Sequence, residues 1–188
     1  MKVFSKLMMT IATVLFTSQV FAAPARILII RHGEKPVDKT DIHLSPRGFQ
    51  RAQALTGLFT QQPQLLTYGR PAAIFAFNNF GDGSERGIET STPLATTLGL
   101  PLNTNFRPDE TQQIASFIFQ TATLTGKMVM IVWRHSNIQD LATALRVQNA
   151  PAWDKNVFDR IWEINYSPQG QVVSFKDLPQ HLLPGDSN

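Results

Sequence analysis

The chain has 188 residues, no cysteine, 43% hydrophobic and 16% charged residues, and a formal net charge of +3. That length suits one domain with a sizeable core, and the composition excludes disorder over most of it. The lack of cysteine excludes disulfides and thiolate chemistry.

Residues 1–22 read as a secretory signal peptide. Lys2 and Lys6 precede the apolar run from Leu7 to Phe16, and Val20-Phe21-Ala22 offers a cleavage site before Ala23. The run is shorter than the roughly 20 apolar residues that span a bilayer, so no stable membrane insertion is expected after cleavage. The expected location is secreted or periplasmic. Without Lys2 and Lys6 the chain carries 15 basic against 14 acidic residues, which provides no broad face for nucleic acid. Residues 23–188 are expected to form a single domain, and its oligomeric state is left open.

Arg26 to Ile30 is the first expected strand. Ile27-Leu28-Ile29-Ile30 is apolar on both faces of a strand, as in parallel sheets covered by helices on each side. A polar loop from Gly33 to His43 follows. Ser45 as N-cap and Pro46 at the first helical position open a helix reaching Gln62, with Phe49, Ala52, Leu55 and Phe59 as its buried stripe. Ala72 to Phe77 is the second strand, and Asn78 to Gly83 a loop. A helix from Glu85 to Leu98 is stopped by Gly99, with Pro93 kinking it or delaying its start.

Pro101 to Phe106 is a short strand. A third helix starts around Pro108-Asp109-Glu110, turns Ile114, Phe117 and Ile118 inward, and closes at Gly126. Lys127 to Trp133 is a second doubly buried strand, and like the first it ends in Arg-His, at Arg134-His135. A fourth helix carries Ile138, Leu141, Ala142 and Leu145. Arg160 to Tyr166 and Gln171 to Phe175 flank the turn signal Ser167-Pro168-Gln169-Gly170 and form a hairpin; the tail after Pro179 is expected to be loose. Alternating strands and helices imply an α/β three-layer sandwich: a mainly parallel central sheet, helices on both faces, and a C-terminal antiparallel edge hairpin.

If the strands ending at Ile30 and Trp133 are neighbours in a parallel sheet, His32 and His135 share one rim, where open α/β sheets collect ligands. Arg31 adds a planar fork of donors suited to phosphate or carboxylate. Alternation along the strand turns Arg134 away from the side His135 faces. Trp133, Trp153 and Trp162 are expected to pack, His43 to lie on the surface, and Glu34 either to orient the site or to be solvated.

Arg31-His32-Gly33-Glu34 after the first strand resembles the signature of the histidine phosphatase superfamily. Leu44-Ser45-Pro46-Arg47-Gly48 with Arg51-Ala52, then Arg86-Gly87-Ile88-Glu89-Thr90, and His135-Ser136-Asn137-Ile138 continue the resemblance in the family's order. Glu89 stands where the family usually has Gln.

The resemblance implies a phosphomonoesterase, independent of metal and cofactor, acting on a small phosphorylated substrate. His32 is then the nucleophile that becomes phosphohistidine, with His135 as a further donor to the phosphoryl group. Arg31 and Arg86 are implied as phosphate ligands, with Gly33 and Ser136 beside the histidines in the same substrate-binding set. Asp109 and Glu110 are the candidate proton donors by position, the alternative being that they only decorate a helix N-terminus. Surrounding cations are expected to lower the pKa of His32, and bound phosphate to favour the charged form of His135. A non-catalytic phospho-ligand binding protein of the same fold is the alternative function, and a metallohydrolase a third.

Overall fold

The two aliphatic runs lie side by side at the middle of the molecule. The structure, a computed structural model, describes residues 23–81 and 83–187, so the expected signal peptide lies outside the described residues. The strands are β1 (Arg26–Arg31), β2 (Pro71–Phe77), β3 (Leu102–Phe106), β4 (Met128–Trp133), β5 (Arg160–Tyr166) and β6 (Val172–Pro179). They form a six-stranded sheet in the order β3-β2-β4-β1-β5-β6. Strands β1 to β4 pair in parallel, β5 is antiparallel to β1, and β6 antiparallel to β5. The parallel sheet and the antiparallel C-terminal hairpin are thus those expected.

All residues of β1 and β4 are buried, because helices cover both faces. The helices are α1 (Pro46–Ala54), α2 (Leu58–Gln61), α3 (Arg86–Leu98), α4 (Thr111–Gln120) and α5 (His135–Ala144). Ile27, Ile29, Val129 and Ile131 pack on one side with Ile114 and Ile118 of α4 and Ile138 and Leu141 of α5. Leu28, Ile30, Met130 and Val132 pack on the other with Leu55, Leu58 and Leu94. Each such aliphatic contributes about 1.5–3 kcal/mol when fully buried. No helix among the described residues is long and apolar enough to cross a membrane.

Several elements depart from the sequence reading. The first helix is broken: α1 ends at Ala54, Leu55–Gly57 forms a 3-10 turn, and α2 resumes to Gln61. Phe49 is 48% exposed rather than part of the core stripe. Ala52, Leu55 and Phe59 are buried as expected, and beside Ala52 the helix buries Gly48 and Arg51, whose carboxylate partners lie inward. Pro93 does not interrupt α3. The hydroxyls of Thr90, Ser91 and Thr92, in the turn before Pro93, donate to the carbonyls four residues back. Helix α4 begins only at Thr111, and Phe117 is 42% exposed, meeting Phe75 and Phe106 edge-on.

The segment after Pro179 is tied down rather than loose. Gln180 is fully buried; its amide nitrogen donates to the Phe158 and Arg160 carbonyls and its oxygen accepts from Arg51. Asp186 takes both terminal nitrogens of Arg51, at 2.8 and 3.0 Å, and accepts the amides of Leu182 and Leu183. These four bonds, with Arg51 foremost, hold its carboxyl down at about 2 despite burial.

Ser45 caps α1 as expected, accepting the Gly48 amide at 3.1 Å. Gly48 also lets the helix touch the loop that follows β1: a Cβ there would lie 2.4 Å from the Glu34 carbonyl oxygen. A Gly48→Ala variant is therefore expected to lose roughly 1–3 kcal/mol of stability, the usual range for overpacking; urea unfolding measures it, and an unchanged midpoint would show that the loop yields freely.

Candidate active site

Strands β1 and β4 are paired in register from Arg26 opposite Met128 to Arg31 opposite Trp133. The His32 amide extends the ladder by donating to the Trp133 carbonyl at 3.2 Å. His32 therefore leaves β1 on the same rim at which Arg134 and His135 leave β4. His135 is the first residue of α5, with Arg134 at its N-cap position.

The His32 ring is 3% exposed and lies edge-on to Phe77 and Phe158. Its Nδ1 is 2.7 Å from the Gly33 carbonyl oxygen. A carbonyl only accepts, so Nδ1 carries the proton and the neutral ring keeps its lone pair on Nε2. The pKa of His32 is pushed down to about 3, first by burial and then by the charges of Arg31, Arg86 and Lys35, while the Gly33 bond acts in the opposite sense. The direction is the expected one, but burial outranks the cations as its cause.

The Arg31 guanidinium is fully buried and stacks on Phe158, 3.6 Å from the ring centroid. One nitrogen donates to the carbonyls of Lys155 and Val157, leaving Nε and Nη2 buried without a partner. Burial foremost draws its pKa to about 10. His135 has an unpartnered buried atom too, Nδ1. Its pKa falls to about 4, first through burial and then through Arg31, Lys35, Arg134 and Lys155. Three polar atoms on the rim that carries His32 are thus buried without a protein partner, which is uncommon for buried nitrogen.

Arg86 opens α3, is 9% exposed, and donates to the carbonyls of His43 and Asp41. Its field reaches both Arg31 and His32. Gly33 is placed differently from a substrate ligand, since its amide donates to Thr90 Oγ1 at 2.8 Å and its α-carbon abuts Gly48. Ser136 is exposed and its hydroxyl donates to Asn137. Arg134 does not turn away from the rim: β4 ends at Trp133, so strand alternation no longer applies. Its side chain donates to Asn79 and its charge acts on His135 and Arg86.

The structure does not bring Asp109 and Glu110 into hydrogen bond with either histidine. Asp109 is exposed, and Glu110 accepts the Arg107 amide at 2.7 Å, closing the turn before α4. Glu34 pairs with Arg51 at 2.7 Å and with Arg47 at 3.2 Å, so it anchors the His32 loop to α1. His43 is a surface residue bonded to Glu89 at 2.6 Å, which raises its pKa. The three tryptophans are buried. Among the described residues, no three His, Asp or Glu side chains are grouped to hold a metal ion.

Beside His135 opens a cleft of about 430 Å³, walled by Lys35, Pro36, Val37, Lys155 and Phe158 among others. Sequence reasoning missed this wall. Lys35 follows the motif directly and was legible in principle, whereas Lys155 and Phe158 come from a connector more than a hundred residues away and carry no local signal.

Comparison with solved structures finds this arrangement of strands and helices in the protein histidine phosphatase SixA complexed with tungstate. It covers 82% of this chain and 97% of that one at 13% identity, with a TM-score of 0.61. The chain has the histidine phosphatase fold. A mycobacterial glucosyl-3-phosphoglycerate phosphatase bound to inorganic phosphate matches 81% of this chain and 95% of its own at 13% identity and a TM-score of 0.54. A phosphoserine phosphatase from Entamoeba histolytica, in complex with 3-phosphoglyceric acid, matches 84% and 99% at 14% identity and a TM-score of 0.50. No protein-family model and no curated protein matches the sequence. What the comparisons show of the histidine phosphatase fold is the likeness of the whole sheet and its helices.

The titration pattern has a definite sign. The unfolded chain protonates His32 near 6.5 and the folded chain near 3, so the unfolded state binds the extra proton in between and stability falls as pH drops through that window. A His32→Asn variant is expected to flatten the stability profile between pH 6 and 4 by up to about 1.4 kcal/mol per pH unit. Urea unfolding across that range measures it, and parallel profiles for the two proteins would refute it. Proton NMR should show the imidazole of His135 titrating at higher pH once phosphate is added.

Proposed function

We propose that the chain is a phosphomonoesterase in which His32 Nε2 attacks phosphorus and forms a covalent phosphohistidine. The observation that carries the reading is the Nδ1 bond to Gly33, which leaves Nε2 unprotonated, on the rim that also carries three unpartnered polar atoms of Arg31 and His135. The N–P bond forms as the ester P–O bond breaks, and the leaving alkoxide takes a proton. Water then attacks phosphorus, the N–P bond breaks, and phosphate and neutral His32 are restored. Arg31, Arg86 and a His135 whose protonated form the arriving dianion favours, the proton coming from solvent, hold the non-bridging oxygens, where charge stabilisation supplies most of the acceleration. The reaction so drawn uses no cofactor and no metal ion.

The acid that protonates the leaving group has no side chain assigned to it. Glu110 is bonded to the Arg107 amide and Asp109 is exposed, neither of them in hydrogen bond with a histidine, so leaving groups of low pKa are served best. The substrate is a small phosphorylated molecule, and the signal-like residues 1–22 support a secreted or periplasmic location. The second reading, a phospho-ligand binding protein without turnover, draws on that same lack of an acid beside the histidines.

Aryl phosphates are expected to turn over faster than alkyl phosphates, with EDTA having no effect. A His32→Asn variant should lose at least about three orders of magnitude in kcat. Neutral quench and mass spectrometry should place phosphate on His32. Binding of phenyl phosphate without label or turnover would favour the binding protein, and inactivation by EDTA would point to a metal.

A further inference from the structure

Some cations of this fold are matched to a carboxylate and others are not. Arg26, Arg47, Arg51 and Arg160 each lie within 3.2 Å of a carboxylate. Around the site the pattern is reversed. Arg31 and Arg86 donate to backbone carbonyls, and Arg134 to the Asn79 amide oxygen. Lys35 and Lys155 donate their ammonium groups to no protein acceptor among the described residues. Glu34 and Asp154 act on Arg31 only through space, as Asp41 and Glu89 do on Arg86, and Glu34 is already engaged by Arg51 and Arg47.

Five positive charges thus converge on one rim without an ion pair. A phosphoryl group brings a charge of about −2 at most near neutral pH. On the phosphatase reading Arg31, Arg86 and His135 hold that group, which leaves Lys35 and Lys155, both exposed, open to a further anion. Both line the cleft beside His135, and both act electrostatically on its ring. Between them Pro36, Val37 and Phe158 present apolar surface, and Val37 is fully exposed.

We infer that the substrate carries a second anionic group on its leaving portion, a carboxylate or a second phosphate, and that Lys35 and Lys155 bind this group at the mouth of the cleft. The inference rests on the phosphatase reading of the site. A short carbon spacer lies against Pro36, Val37 and Phe158, which separates the two anions and sets their spacing. Selectivity for such substrates comes from lysines that no substrate with a single phosphoryl group engages.

The test compares phenyl phosphate with 4-carboxyphenyl phosphate and 1,4-phenylene bisphosphate, using the unmodified chain and a Lys35→Gln, Lys155→Gln double variant. The unmodified protein should prefer at least one of the doubly anionic probes by about tenfold or more in kcat/KM at low ionic strength, and salt should erode that preference. In the double variant the loss on the preferred probe should exceed the loss on phenyl phosphate at least fivefold. The better of the two doubly anionic probes tells whether the second group is carboxylate or phosphate. Equal kcat/KM on all three probes, or equal losses in the variant, overturns the inference. Absence of turnover on every probe would sink the phosphatase reading alone. The same comparison made by calorimetric binding then still decides, with equal affinities for the three probes refuting the second subsite.

Discussion

The pairing of β1 with β4 is the constraint on which everything else rests. Their six matched positions place Arg31 level with Trp133, and the two histidines follow at the ends of those strands. A slip of one residue would turn each buried aliphatic to the opposite face and carry His32 out of line with His135. The slip is opposed by two separate cores, one on each face, each drawing on alternate residues of the same strands. Site geometry and core packing are one problem here, solved by the same side chains.

What was legible in the sequence was what depends on near neighbours. Ile27 to Ile30 and Met128 to Val132 announce doubly covered strands because no polar residue interrupts them, and Ser45-Pro46 announces a helix start because the cap is four residues long. What was not legible depends on contacts between distant residues. Arg51 joins the buried face of α1 while Phe49 does not, since Glu34 and Asp186 lie inward. Gln180 is buried by partners in three different segments. Phe158 reaches Arg31 from a connector with no motif of its own. Of the acidic pair at Asp109 and Glu110, Glu110 is committed to the turn before α4, a bond that the sequence did not announce.

Glu34, Arg51 and Asp186 form a knot that is more than a surface ion pair. Arg51 is 2% exposed and its charged form is strongly favoured, with the bonds to Asp186 and Glu34 outweighing burial. Removing one member of such a group costs far more than the group contributes net, because the others stay buried with their charge. The knot joins the loop after His32, the first helix, and the segment beyond β6, three stretches that share no secondary structure. The position of His32 is thereby referred to parts of the chain that lie outside strands β1 and β4.

The unpartnered nitrogens of Arg31 and the idle Nδ1 of His135 carry a further consequence. Buried polar groups without partners cost free energy, which an oxyanion bonded to them would recover. On the phosphatase reading, the cradle cannot tell an ester's phosphoryl group from the free phosphate it releases. Turnover would then slow as product accumulates, and phosphate scarcity in the surroundings would become the condition under which the chain works fastest.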